Sequence, residues 1–414
     1  MSKSLVIFAF LTAFSCPVRS VDAGSRAPRV LIVSMPVAAA TAKTGAEDGS
    51  DQNPFSTIQA AVDAASPGDT VRVKQGVYRN PGFGTSGTNG PVVLLQKGGS
   101  AEGGVLTLLG DPGAVIEFDG SGGILASAHV SYVTIKGFAV KGPASGISEP
   151  EAFQHRLNNP PMPRYNGQGI AFPGPSDHIE ILDNVVSDAC SSGIRVNQGD
   201  YVLIQGNRVS NCTEWTSTAS SALVIAEATN VGDKDTVKIQ ILDNTVFNNR
   251  NHLPFYAPNG FPKGAHPPFP SYGTAGATYI IDGSGVYLTR NNGTYKHGEY
   301  LVANNLTYGN GINGVVVHYT DRVTLKNNTI ANNGTVPLTA HRQRNSGLAI
   351  NHSKELEFLD NRVQVNVTGD RAIRFFGEVT WKTSTGNRYC GGRSDLTVGA
   401  TLVPVFWYGP PVFH

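Results

Sequence analysis

A histidine, a tyrosine and several arginines fall at one repeated strand position in this sequence, and together they could handle a carboxylate-bearing sugar. The repeated motif is Gly-Ile-x-Val or a close variant. It reads GIAF at Gly169, GIRV at Gly193, GVYL at Gly285, GVVV at Gly314 and GLAI at Gly347, while ALVI at Ala222 and AIRF at Ala372 replace the glycine. Side chains alternate along a strand, so the Ile and Val point inward, and x and the residue after Val point outward. The x positions hold Ala171, Arg195, Val224, Tyr287, Val316, Ala349 and Arg374. The next outward positions hold Pro173, Asn197, Ala226, Thr289, His318, Asn351 and Phe376. Just beyond lie Glu227, Arg290, Tyr319 and His352, and just before lie Asp282 and Arg344.

The row is rich in cations. Arg195, Arg290, Arg344 and Arg374 outnumber Asp282 and Glu227. Guanidinium groups bind carboxylates through paired hydrogen bonds, which suits a uronic-acid polymer. β-Elimination of such a polymer needs a cation to neutralise the carboxylate, a base for the α-proton and an acid for the leaving oxygen. His318 and Tyr287, on adjacent strands roughly 5 Å apart, are the candidate base and acid. Arg195 or Arg290 is the candidate neutraliser. An exposed turn histidine and a tyrosine that merely stacks on a sugar ring are the plainer readings of the same pair.

Hydrolysis needs two carboxylates across the scissile bond. Asp282 and Glu227 are the best pair for that, although Asp282 also fits a turn cap in IIDGSG. Arg374, Arg344, His352 and Glu227 are substrate-binding candidates. Trp215 and Tyr256 could stack on sugar or could pack loop to body. His341 and His352 have no third metal ligand in view, so no metal is assigned.

What positions these residues is a second repeat. A strand-like run ends in asparagine at Asn184, Asn207, Asn244, Asn305, Asn328 and Asn361, and more loosely at Asn387. An asparagine recurring at one turn implies amides stacked in a ladder, hence coils lying on top of one another. Each coil reads as three short strands: the Gly-Ile-x-Val strand, the run ending in asparagine, and a third such as VVSDA, RVSNC or TIANN. This order describes an all-β fold, a single right-handed parallel β-helix. Ladder spacings of 23 residues mark bare coils and spacings up to 61 mark insertions. The insertions, Lys141–Gly167, Arg250–Ala277 and Gly334–Asn345, fall between the third strand and the next Gly-Ile-x-Val strand. They should wall a groove along that sheet.

The N-terminal region adds a cap and a leader. Residues 56–65 read as one amphipathic helix, with Ile58, Ala61, Val62 and Ala65 as its apolar stripe and Ser56 or Thr57 as its cap. A helix there would cover the open end of the stack. Lys3, the short apolar run Leu5 to Cys16 and Val21-Asp22-Ala23 read as a secretory signal peptide over 1–23, with a retained anchor as the alternative. The β-helix domain then spans 24–414. No later stretch is long and apolar enough to cross a membrane, so a secreted, soluble monomer is expected.

Charge and cysteine usage set further bounds. With 32 basic and 31 acidic residues the net charge is +1, which gives no reason to expect nucleic acid. Cys190 and Cys212 sit near equivalent points of successive coils. Their spacing allows either a disulfide or two small buried thiols. Seven Asn-x-Ser/Thr sequons occur, but the repeat itself generates that pattern and Asn305 is also a ladder residue.

The segment Asn53–Asn80, NPFSTIQAAVDAASPGDTVRVKQGVYRN, resembles the opening of many secreted pectate-lyase-like β-helix proteins. The repeats from about 130 to 366 are similar to the same superfamily. The resemblance implies a carbohydrate ligand lying across the Gly-Ile-x-Val sheet. It does not select one reaction, because the superfamily includes lyases, hydrolases, epimerases, esterases and adhesins. No paired aspartates with a downstream Gly-His-Gly occur, no Asp-Pro-His-Asp, and no lysine in the repeated strands. No complete acidic calcium cluster aligns, so no cofactor is assigned and calcium stays open. The expectation is a polysaccharide lyase acting on an anionic polysaccharide. Glycoside hydrolysis, uronate epimerisation and binding without catalysis are the alternatives.

Overall fold

The computed structural model describes residues 26–35, 45–84, 89–257, 274–336, 346–365 and 371–390. The expected signal at 1–23, His341, Arg344 and most of the second long loop lie outside them. The chain winds as a right-handed parallel β-helix with three strands to a coil, and the strands pair in parallel from coil to coil.

The first sheet holds the Gly-Ile-x-Val strands, such as Ile194–Asn197 and Val286–Thr289. The second holds the runs that lead to the ladder, such as Gly199–Gln205 and Val237–Leu242. Short strands such as Arg208–Ser210 make the third. In the last two coils one strand serves both sheets, because Ser346–Leu359 and Arg371–Thr385 run through the first and the second, turning at His352, Glu355 and Gly377 where φ is positive and the register shifts.

Burial follows the alternation. Ile194, Val286, Val315 and Leu348 are buried, as are Val196, Leu288, Val317 and Ile350 two residues on. Each such side chain contributes roughly 1.5–3 kcal/mol when fully buried. The motif glycine is a matter of space. A Cβ on Gly193 would press on Cγ1 of Val209 in the third strand at 2.5 Å.

The ladder runs unbroken from Asn184 through Asn207, Asn244, Asn305, Asn328 and Asn361 to Asn387. Each Oδ1 accepts from the backbone N–H and the Nδ2 of the preceding asparagine, as Asn244 Oδ1 does from Asn207 at 2.9 and 3.0 Å. Each Nδ2 also donates to a strand carbonyl, as Asn207 does to Ile181 at 2.8 Å. At the N-terminal end Phe138 takes the ladder position, and its N–H donates to Asn184 Oδ1.

The residue before each ladder asparagine has positive φ: Asp183, Gly206, Asp243, Asn304, Asn327, Asp360 and Gly386. Only Gly, Asn and Asp adopt that backbone readily, which explains the Asp-Asn, Gly-Asn and Asn-Asn pairs at the strand ends.

A second ladder, not foreseen in the sequence, runs after the third strand. Asn249 Nδ2 donates to Asn310 Oδ1 and Asn310 Nδ2 to Asn333 Oδ1, both at 2.8 Å. Two sequon asparagines, Asn305 and Asn333, are therefore buried with their amides hydrogen-bonded.

Cys212 heads this second column, and its N–H donates to Asn249 Oδ1. That corrects the disulfide expectation. The register pairs Ser187 with Ser210, so continuing it sets Ala189, not Cys190, against Cys212. An offset of one residue turns the two side chains to opposite faces. Cys212 lies in the main core and Cys190 among the loop residues, and both are free thiols.

Helix α1, Ile58–Ala64, forms where the apolar stripe predicts. Thr57 is its N-cap, accepting from Ala60 N at 3.2 Å, and Ile58, Ala61 and Val62 join the core. The first long insertion carries helices that the strand repeats do not announce. It contains α2, Glu149–His155, and α3, Pro163–Asn166. Ser148 caps α2, and the Tyr165 hydroxyl donates to Glu151 at 2.9 Å.

The ladder makes a stability prediction. Asn305→Ala strips partners from Asn244 and Asn328 and from the carbonyls of Ile241 and Ala303. Each orphaned buried group costs about 1–3 kcal/mol. Urea denaturation should show a much larger loss for Asn305→Ala than for Asn387→Ala at the half-exposed end, and equal losses would contradict the ladder's role.

Candidate functional site

Strand register brings the outward residues into two rows. Ala171, Arg195, Val224, Tyr287, Val316, Ala349 and Arg374 share one. Asn197, Ala226, Thr289, His318, Asn351 and Phe376 share the other. Both match the sequence expectation. Between the polar residues the floor is apolar and closed, with Val224, Ala226, Val316 and Ala349 buried.

His318 and Tyr287 sit on neighbouring coils with ring centroids 6.0 Å apart. His318 Nδ1 lies 2.8 Å from the Thr289 hydroxyl, and its ring meets Tyr319 edge-on at 4.7 Å. Burial, with Arg290 and His352 adding repulsion, pushes the imidazole down to about 4. His318 is therefore neutral over most of the pH range, with a lone pair on one ring nitrogen. The plainer view of it as an exposed turn residue does not fit this half-buried, ring-packed position.

Arg195 lies two coils from Tyr287, roughly 10 Å by strand spacing. Its Nε donates to Asn197 Oδ1 at 2.9 Å, which aims the guanidinium. Burial and the neighbouring Arg290 lower its pKa, while Asp282, Glu227 and Tyr287 act the other way. Arg290 and Glu227 form an exposed ion pair at 2.8 Å at the rim. Both residues have positive φ, as do Tyr319 and His352 further along the same turn. Tyr319 and His352 stack in parallel at 4.7 Å, and Arg374 lies over the Phe376 ring at 3.9 Å.

Asp282 is buried, and it does not cap its own turn. Among the described residues its hydrogen bond comes from the Ser221 hydroxyl, 3.2 Å away on the preceding coil. Burial pushes the carboxyl up to about 7, against the pull of Ser221, Arg195 and Arg290. Burial that displaces a carboxyl this far, in a row with charged partners, makes Asp282 a candidate functional group.

Other expected residues lie apart from this cluster. Trp215 is not a sugar platform. It is buried, its Nε1 donates to the Ala144 carbonyl at 2.8 Å, and it packs with Ile147, Tyr165 and Leu253 under the loops. Tyr256 is half-buried, with its backbone N–H on the Ser217 carbonyl, so it belongs to the loop wall. That wall is braced across loops. Arg156 Nη2 donates to the Ala275 carbonyl at 3.0 Å, and the Ser217 hydroxyl to the Arg156 carbonyl at 2.8 Å.

The sequence reading missed the supporting roles of Thr289, Asn197 and Ser221. The first two were visible as neighbours in the outward row. Ser221 depends on how an insertion folds back and leaves no pattern.

Asp282 carries a stability signature. Its folded pKa lies above the unfolded value of 3.8, so its contribution is greatest below that pH and is lost as pH rises through about 7. Asp282→Asn should therefore gain stability over the parent between pH 4 and 7 and hold that gain above it. Urea midpoints across this range measure the effect, and a pH-independent difference would contradict the assignment.

The description "right handed beta helix region" matches residues 115–387. No curated protein sequence matches the chain. Among solved structures, an alginate lyase from Paenibacillus sp. str. FPU-7 superposes with TM-score 0.50 at 13% identity, covering 80% of this chain and 92% of that one. The A-module of a mannuronan C-5 epimerase from Azotobacter vinelandii gives TM-score 0.47 at 15% identity, covering 81% and 86%. A pectate lyase gives 0.38 at 15%, covering 88% and 79%.

Proposed function

We propose that this chain, which belongs to the right-handed β-helix family, is a carbohydrate-active enzyme that cleaves an acidic polysaccharide by β-elimination in the Arg195–Tyr287–His318 groove. The observation that carries the reading is a neutral histidine beside a tyrosine, with Arg290 close enough to act on the histidine and Arg195 in the same outward row two coils from the tyrosine. The likeness in fold to an alginate lyase supports a carbohydrate ligand. The proposal includes export ahead of residue 24 and an anionic polymer as partner.

In this reading the polymer lies along the first sheet. Arg290, next to Thr289 and acting on His318, exchanges Glu227 for the carboxylate of the reacting uronate, while Arg195, aimed by Asn197 and three coils from His318, pairs with the carboxylate of a neighbouring sugar. Withdrawing charge from the carboxylate acidifies the α-carbon. Neutral His318 takes that proton. The C–O bond to the leaving sugar breaks as the C=C bond forms, and the Tyr287 hydroxyl donates its proton to the departing oxygen. Asp282, protonated up to about pH 7, adds no negative charge that would repel the substrate.

A hydrolytic reading uses the same groove. It is favoured by the unlike settings of two carboxyls, Asp282 raised by burial and Glu227 paired with Arg290.

Incubation with pectate, alginate and glycosaminoglycans separates the readings. Elimination leaves an unsaturated, ultraviolet-absorbing product; hydrolysis leaves new reducing ends without it. Tyr287→Phe and His318→Ala should each lower kcat by about 10²–10⁴. kcat/KM should hold from about pH 4, where His318 loses its proton, to about 7, where Asp282 ionises. Asp282→Asn should extend that plateau upward. Binding without turnover, unaffected by either substitution, would remove both enzymatic readings.

A further inference from the structure

The outer face of the second sheet carries a cluster that the groove does not use. Tyr132, His178 and Tyr201 come from three successive coils and stack ring on ring. Their centroids lie 4.2 and 4.5 Å apart, with interplanar angles of 6° and 9°. All three have positive φ, at 55, 53 and 49°. Bulky side chains rarely accept that backbone. The chain meets the same demand before each ladder asparagine with Asp, Gly or Asn. Here it places aromatic rings instead, and backbone strain kept at a surface points toward function.

The stack borders a cleft of about 370 Å³ that extends over five coils. That volume falls within the range of small-ligand sites. Thr134, Glu180 and Gln240 line it in one outward row, and the exposed Val105 and Val237 stand at its two ends.

Its charge is opposite to that of the groove. The Lys238 side chain is fully buried, 3.5 Å from Asp200, and donates to the Gly232 carbonyl at 3.0 Å. His178 Nδ1 is held by Asp177 at 2.6 Å. Glu180 accepts from the Thr134 hydroxyl at 2.8 Å, and no cation pairs with it among the described residues. The cleft thus offers a carboxylate, an amide, hydroxyls and ring edges flanked by apolar patches. The carboxylate and amide suit sugar hydroxyls, the apolar patches suit the sugar's C–H groups, and the carboxylate repels uronates.

We propose that this cleft is a second carbohydrate site, and that it takes an uncharged sugar chain. The site lies outside the groove, and it stands or falls without the elimination reading.

Calorimetric titration of the full chain with neutral oligosaccharides of glucose, xylose, mannose and galactose tests it, with oligogalacturonate as the anionic control. At least one neutral sugar should bind. Tyr201→Asn and Glu180→Gln should each weaken that binding about tenfold or more, equivalent to 1.4 kcal/mol. Asn tolerates the backbone at 201, and an unchanged urea midpoint confirms that the variant folds. Arg195→Ala should leave the neutral sugar's affinity unchanged. The proposal is overturned if no neutral sugar binds, if binding survives Tyr201→Asn, or if Arg195→Ala abolishes it, which would place the ligand in the groove.

Discussion

One hydrogen bond, repeated, sets the height of each coil from Asn184 to Asn387: the amide of one asparagine on the carbonyl oxygen of the next. It holds each turn after the second strand at a common level, so the strands that precede it stay in register. That register makes the outward rows. Arg195, Tyr287 and His318 are far apart in sequence, and they face the same side because every coil between them closes at the same point. The insertions obey the same constraint. However long the excursion, the chain must return at the level of its own coil, so length accumulates outside the helix as loop wall.

What could be read from the amino-acid order was whatever repeats. The ladder asparagines, the inward Ile and Val, the outward rows and the stripe of α1 all follow a fixed period, and each lies where the period puts it. Features that occur once were harder. Helices α2 and α3 sit in an insertion whose hydrophobic residues serve a local cluster around Trp215, so no coil period exposes them. The cysteine pair looked equivalent because both close a third strand, yet an offset of one residue decides which face a side chain takes. Asp282 resembled a turn cap by its neighbours in sequence, whereas its partner, Ser221, is brought in by a fold-back of 61 residues. The second ladder was periodic too, but among the described residues it covers Asn249, Asn310 and Asn333, and Cys212 and Ala189 break the column on its N-terminal side.

Two faces of one helix carry different electrostatics. The first sheet gathers arginines over a closed apolar floor, and burial keeps its histidine and its aspartate uncharged across a common pH range. The second sheet sequesters its lysine against Asp200 and turns a carboxylate outward. Both arrangements use the same backbone device, a positive-φ residue at the turn, filled by side chains chosen for what they present instead of for conformational ease.

The parallel stacking also gives the molecule a mechanical grain. The bonds between coils, in strands and ladders alike, point along the helix axis. Tension along that axis loads the outermost coil first and opens the stack one layer at a time, as peeling does. Force applied across the axis must shear a whole row of bonds together.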